Sequence, residues 1–260
     1  MQLREAADAL GVHYQTAYGW VRDGVLPARK RGRGYEISEA DVALLAQRRE
    51  QGTEPARKIQ VRDWGPLTGR LTAALLAGQE RRAQAELDRL AGAIPVLELC
   101  DQLLAPALRE IGAAWAANTA SIAQEHRATA ICERLLTCHM RMPAGRPRAT
   151  AVVATPAGER HGFPSLMAAA CLAEDHWRVH HLAADLPATE VAGLAADVGA
   201  SLTVLSTTMA DTATTALAEY QPIDPAGAAG PWAGGPHGCR VLIGRPGDTL
   251  HDLISQARAS

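Results

Sequence analysis

The 260-residue sequence predicts a multidomain chain with three folded units in series: a winged helix-turn-helix, a four-helix bundle and a Rossmann-like α/β domain. Three observations carry this expectation. Short helical patterns and a basic, glycine-containing stretch open the chain, longer helical spacing fills its middle, and short apolar strand patterns alternate with helical ones in its last third. At the usual ~100 to 200 residues per domain, the length itself favours more than one unit. Apolar residues make up 47% and charged residues 21%, so real cores are expected and disordered or collagen-like classes are excluded. With a single Phe and 4% aromatics, those cores must be built from Ala, Leu, Val and Ile.

The first unit, residues 1–50, starts with LREAADAL at helical spacing. Gly11 interrupts the pattern, and HYQTAYGWVRDG then reads as a second short helix that closes at Gly24. Leu26-Pro27 ends the helical run, and ARKRGRGYEIS reads as a hairpin whose glycines permit a tight turn. Ser38 caps a further helix, SEADVALLAQRRE, its hydroxyl accepting a backbone N–H three residues on, with early acids suited to the positive helix end. Net charge is -2, yet the first 60 residues hold ten Lys/Arg against eight Asp/Glu, and the excess gathers at Arg29, Lys30, Arg31 and Arg33. Such a unit suits double-stranded operator DNA. The second helix can enter the major groove, with His13, Tyr14, Gln15 and Tyr18 at or near the bases, while the hairpin cations meet phosphates. A small protein-binding unit with a solvated basic turn is the plainer alternative. Four cations neutralise about four phosphates, so one copy binds weakly and tight binding calls for a homo-oligomer.

Residues 51–65, QGTEPARKIQVRDWG, lack a sustained period and read as a linker. Residues 66–143 carry four helical stretches, with breaks near Gly78, near residues 92–95 and near residues 118–121, as in a small bundle. Trp115 ends one stretch, and Ser121 opens the next with Gln124 in the capping-box position, so that Glu125 and His126 project from its first turns. Residues 147–260 alternate strand and helix: ATAVVATP, PSLMAAACLAEDH, RVHHLAAD, ATEVAGLAADVG, LTVLSTT, VLIG and DTLHDLISQAR. That order implies parallel strands joined by right-handed crossovers, with ligands docking at the carboxyl ends of the strands. Glu159 and His161 follow the first of those strands, and QPIDPAGAAGPWAGGPHG reads as a loop. The cysteines Cys100, Cys132, Cys138, Cys171 and Cys239 have no metal or disulfide spacing and read as small core residues. No apolar run approaches the ~20 residues a membrane helix needs, and MQLREAADAL has no hydrophobic signal region, so a cytoplasmic location is expected.

Several of these segments carry a resemblance. LREAADALGVHYQTAYGWVRDGVLPARKRGRGYEISEADV resembles the winged helix-turn-helix of the MerR and excisionase families, through its Gly-Val turn, the Trp of the second helix and Tyr35 after the wing. GERHGFP, HLAADLP with Asp185 and Pro187, VLSTT with Ser206, and VLIG with Gly244 together resemble the cobalamin-binding domain of corrinoid proteins. That resemblance implies that His161 replaces the cofactor's own dimethylbenzimidazole below cobalt and that Glu159 orients it. Ser206, Thr207 and Thr208, with Gly244 on the later strand, would line the pocket of the displaced nucleotide tail. The chain departs from the family pattern at Pro164, where a glycine is usual, and at Arg245, where a glycine pair is usual. LLAPALREIGAAWAANTASIAQEHRAT resembles the helical domain that precedes the corrinoid domain in the CarH and LitR group of light-responsive transcriptional regulators. There the matching Trp and Glu pack around the 5'-deoxyadenosyl group, which implies that role for Trp115 and Glu125, with His126 close by. Ala116 stands where the best-known members carry a histidine that binds cobalt after illumination.

The expectation is a non-enzymatic, light-dependent transcriptional regulator, a repressor, with adenosylcobalamin as chromophore. Its dark homo-oligomer, a dimer or tetramer, would hold DNA and come apart in light. Two alternatives stay open: a corrinoid carrier for methyl transfer, and a related sensor using another pigment such as a bilin, with or instead of cobalamin.

Overall fold

The computed structural model describes residues 1–12, 14–22, 25–32, 34–50, 61, 63–91, 93–140, 146–220 and 239–259. His13, Arg33, most of the expected linker and the 221–238 loop lie outside the described residues, as does the side chain of Gln15.

The chain divides into two compact units, one holding the described residues up to Glu50, the other those of Val61–Ala91 and from Pro95 onward. In the first, α1 (Leu3–Ala9) and α2 (Tyr14–Arg22) are followed by the hairpin β1 (Ala28–Arg31) and β2 (Gly34–Ile37), then by α3 (Glu39–Glu50). Leu3, Ala6, Leu10, Ala17, Trp20, Leu26, Ile37 and Leu45 form its core. The strands are antiparallel with Ala28 opposite Ile37, and Gly32 turns the hairpin at φ 59°, a left-handed conformation that suits glycine. A bridge between Gln2 and Glu36, with the Ile37 amide donating to the Met1 carbonyl at 2.9 Å, fastens the hairpin beside α1. Ser38 Oγ accepts from the Ala40 amide at 3.2 Å. The bond reaches two residues on rather than the expected three, an equally common target for a residue just before a helix.

The second unit begins with α4 (Gly65–Leu76), α5 (Glu80–Asp88), α6 (Val96–Leu99), a π-helical turn (Cys100–Leu104), α7 (Ala105–Ala116) and α8 (Ile122–His139). Leu71, Leu75, Leu87, Leu103, Leu104, Ile111, Ile131 and Leu136 are fully buried between them. Gly78, at φ 67°, ends α4 while its amide and that of Gln79 reach back to Leu75 and Ala74, a helix end that favours a residue without Cβ. The π turn has a local cause. Pro106 has no N–H for the Gln102 carbonyl four residues earlier, so that carbonyl accepts instead from Thr68 Oγ1 at 3.5 Å. At the start of α8 both bonds of the capping box are made: Gln124 N to Ser121 Oγ at 3.2 Å and Ser121 N to Gln124 Oε1 at 2.8 Å. Cys100, Cys132 and Cys171 are core residues and Cys239 is partly buried, but Cys138 is exposed, because it falls on the outer face of α8.

The remaining elements are β3 (Thr150–Ala154), α9 (Phe163–Glu174), β4 (Arg178–His181), α10 (Ala188–Asp197), β5 (Leu202–Ser206), α11 (Ala210–Glu219), β6 (Arg240–Gly244) and α12 (Leu250–Arg258). Every strand pair is parallel and the order is β4-β3-β5-β6. Right-handed crossovers then require α9 on one face and α10 and α11 on the other. The two apolar clusters have that composition: α9 and α12 cover Val153 and Val204, while α10 and α11 cover Val152 and Leu205. Helix α11 was not anticipated from the sequence, since its threonines are poor helix formers. Thr214 and Thr215 satisfy their hydroxyls on the carbonyls of Ala210 and Asp211, one turn back. The bundle joins the α/β layers through Leu97, part of the α9 cluster, and through the Val96 amide, which donates to both carboxylate oxygens of Glu174 at 3.1 and 2.9 Å.

Ser121→Ala removes a side-chain cap and is expected to destabilise the second unit by about 1 kcal/mol, read as a lower urea midpoint with an unchanged slope.

Candidate functional site

In this sheet order the first and third strands of the α/β domain, β3 and β5, lie side by side while their helices leave to opposite faces. A crevice at the carboxyl ends of such a strand pair is where doubly wound sheets take ligands. The loops that follow β3 and β5 meet there, and Glu159 joins them.

The Glu159 side chain has 0% exposure, and both its oxygens are occupied. Oε1 accepts from the His161 amide at 3.0 Å and faces His161 Nδ1 at 2.6 Å. Oε2 accepts from the Thr208 amide at 2.7 Å, Thr208 Oγ1 at 3.0 Å, the Met209 amide at 3.2 Å and Thr212 Oγ1 at 3.0 Å. Burial by itself would raise the carboxyl's pKa. The Thr208 and His161 bonds outweigh it and bring it down to about 2, so the group is a carboxylate at neutral pH.

This arrangement sets the state of His161. Thr208 Oγ1 spends its proton on Glu159, so at 2.8 Å from His161 Nδ1 it acts as an acceptor. In the neutral ring Nδ1 therefore carries the hydrogen, shared between Glu159 and Thr208, and the lone pair is on Nε2. The imidazole is 60% exposed, which leaves that nitrogen free to bind. One imidazole is too small a ligand set for a free metal ion, and among the described residues no group of three or more His, Cys, Asp or Glu could hold one. It suits a metal whose other positions a macrocycle already fills.

The loop is braced from the far side by residues 183–186. Asp185 Oδ1 accepts from the Gly158 amide at 2.8 Å, the Asp185 amide donates to Thr155 Oγ1 at 2.9 Å, and Thr155 Oγ1 donates to the Glu159 carbonyl at 3.1 Å. Ala183 and Asp185 both have positive φ, 61° and 64°, a strained conformation outside glycine that tends to cluster near binding sites.

The other residues singled out from the sequence fall into separate groups. Ser206 and Thr207 are buried at the end of β5, and the amide and hydroxyl of Thr207 both donate to the Gly244 carbonyl, at 3.0 and 2.8 Å. Gly244 has a packing reason of its own, since a Cβ there would lie 3.3 Å from Leu253 of α12. Thr208 belongs with Glu159 and His161. Thr212, Met209 and Asp185 complete the cluster, and no spacing signal pointed to Thr212 because its helix was not anticipated.

Trp115, near the end of α7, is 49% exposed, and Ile122 at the start of α8 is 58% exposed. Beside them Glu125 meets His126 Nδ1 at 2.6 Å and accepts from Thr129 Oγ1 at 3.2 Å. Among the described residues, no hydrogen bond joins this group to Glu159 or His161. In the first unit, Tyr14 and Tyr18 are exposed on α2 and stack at 6.5 Å, and Tyr18 meets Tyr35 of the hairpin edge-on at 5.9 Å. Arg29 and Lys30 are exposed. Arg31 pairs with Glu36 at 3.1 Å in an ion pair open to solvent, which a phosphate could displace at little cost.

Residues 67–138, the helical bundle, match a family model described as a B12 binding domain, and residues 1–50 match a helix-turn-helix domain model. The HTH-type transcriptional repressor CarH of Myxococcus xanthus is 28% identical, over 72% of this chain and 71% of its own length. The HTH-type transcriptional repressor CarA of the same organism is also 28% identical, over 79% of this chain and 76% of its own. The chain thus carries the two parts of a cobalamin-dependent transcriptional regulator, a helix-turn-helix domain and a B12 binding domain. The regulator's fold is shared with the monomethylamine corrinoid protein of Methanosarcina barkeri, with a TM-score of 0.50 at 15% identity over 74% of this chain and 97% of that one. Among the described residues, no helix of the regulator is long and apolar enough to cross a membrane.

Glu159→Gln puts an amide among donors on both sides. It is expected to cost about 2 to 4 kcal/mol in denaturant unfolding at pH 7. Because the folded-state pKa of Glu159 is depressed, its contribution is present above the unfolded value near ~4.3 and is lost as pH falls towards about 2. The variant's unfolding curve should lack that acid-dependent component.

Proposed function

We propose that this regulator is a repressor that senses light through adenosylcobalamin, with His161 as the lower cobalt ligand. The observation that carries the reading is that Glu159 and Thr208 lie 2.6 and 2.8 Å from His161 Nδ1, a pair of contacts that in the neutral ring leaves the Nε2 lone pair for a ligand. Glu159 and Thr208 hold the ring, Thr212 and the Met209 amide hold Glu159, and Asp185 braces the loop. When bound, the cofactor supplies a cobalt–carbon bond that light breaks. Trp115 and Ile122, half-open to solvent at one end of the bundle, offer apolar cover for the adenosyl group, and Glu125 and His126 offer hydrogen bonds to it. The units recognised in the sequence keep the same roles: 1–50 for DNA, 51–65 as linker, 66–143 as cover and 147–260 as the cofactor domain.

Dark protein assembles into a homo-oligomer whose several winged units hold double-stranded operator DNA together. Tyr14 and Tyr18 face the groove and Arg29 and Lys30 the phosphates, while His13, Gln15 and Arg33 occupy matching positions in the sequence. Loss of the adenosyl group shifts the assembly equilibrium through its differential affinity for the two states, for which ~1 to 3 kcal/mol is typical.

Reconstitution in darkness with adenosylcobalamin tests the reading. Green light should change the absorption spectrum, lower the molecular mass in size-exclusion chromatography and release operator DNA. A dark spectrum that persists under illumination refutes the light reading, and methyl turnover with a partner methyltransferase would make the chain a corrinoid carrier. A bilin in the native protein, seen by mass spectrometry, would change the pigment. His161→Ala should leave the bound corrinoid without its protein ligand and visibly alter its spectrum. Lys30→Ala should weaken operator binding similarly across sequences and reduce the salt slope by about 1.

A further inference from the structure

A second hydrogen-bonded chain runs behind the His161 loop, through residues that the site above does not use. Ser165, in the first turn of α9, has 0% exposure. Its hydroxyl lies 2.7 Å from the Gly162 carbonyl and 2.9 Å from Nε2 of His181, the last residue of β4. The hydroxyl has one proton, and the shorter contact, to a carbonyl that can only accept, takes it. His181 Nε2 must then carry a hydrogen and donate to Ser165 Oγ, so the chain runs from His181 to Ser165 to the Gly162 carbonyl. Burial lowers the pKa of His181, which keeps its ring neutral and able to make a single, fixed donation.

The place where this chain ends gives it meaning. Gly162 directly follows His161 and is the residue from which α9 departs. The His161 amide is held on one side by Glu159 Oε1, and the Gly162 carbonyl, one residue on, accepts from Ser165 Oγ as well as from the Leu166 amide at 3.1 Å. Strand β4 is the edge neighbour of β3, and Val179 and His181 face the α9 layer, so the base of the chain sits on the sheet. The backbone of His161 and Gly162 is therefore held at both ends, which fixes the base from which the imidazole projects.

We propose that Ser165 and His181 are positioning residues that hold the His161 peptide in its metal-binding pose before the cofactor arrives. The proposal rests on the reading of His161 as lower ligand. Full-length protein is loaded in darkness with adenosylcobinamide, a corrinoid that brings no base of its own, so any axial nitrogen seen in its absorption spectrum comes from the protein. Ser165→Ala is expected to lower the nitrogen-coordinated fraction and to weaken binding about fivefold, the worth of one net hydrogen bond. His181→Phe should give part of that loss, the double variant no more than Ser165→Ala alone, and Ser165→Thr should restore coordination. Unchanged coordination and affinity in both single variants, even with lower thermal stability, would assign the pair a purely structural role and overturn the proposal. If Ser165→Ala does not fold, His181→Phe decides by the same spectrum. If the unmodified protein shows no axial nitrogen while His161→Ala behaves identically, the lower-ligand reading itself fails and takes this proposal with it.

Discussion

The buried carboxylate of Glu159 is the contact on which the site depends. A charge taken out of water is tolerated only if its lone pairs are met, and here six donor contacts from the β3 loop, the β5 loop and α11 meet them. Those donors lie 49 to 53 residues from Glu159 along the chain, apart from His161 itself. The same bonds that keep Glu159 charged thus tie the loops after β3 and β5 together and set the hydrogen on His161 Nδ1. Stability and the readiness of one imidazole nitrogen are consequences of one cluster.

Topology makes the cluster possible. Only where strand order reverses do two neighbouring loops diverge to opposite faces and leave room between them, and β3 and β5 form that pair. The positive φ of Ala183 and Asp185 is accepted beside it, where Asp185 holds the loop that carries His161. Helix α9 leaves from the same loop and packs against the bundle, so the His161 loop and the bundle helices share one apolar framework.

The first unit follows a different logic. Its core is small, and the hairpin is held by strand pairing to the chain's opening residues and by Tyr35 against Tyr18. That contact joins the hairpin to the exposed face of α2. The ion pair of Arg31 with Glu36 is open to solvent and leaves Arg29 and Lys30 as the described cations of the hairpin with no such bond.

Local signals were enough for much of the molecule. The capping box at Ser121, the helix breaks, the parallel alternation and the basic hairpin depend on contacts within a few residues, which spacing records directly. Glu159 and His161 stand two residues apart, so their partnership was also legible. Thr208 and Thr212 were not legible in their actual role, because hydrogen bonds across some fifty residues leave no mark on local pattern. Helix α11 was hidden by threonines whose hydroxyls find carbonyls only once the helix exists. The sequence by itself determined which units form and which histidine stands at the sheet's edge. Only the tertiary structure decided how that histidine is held and which of its nitrogens is free, since a proton's position depends on acceptors that folding brings together.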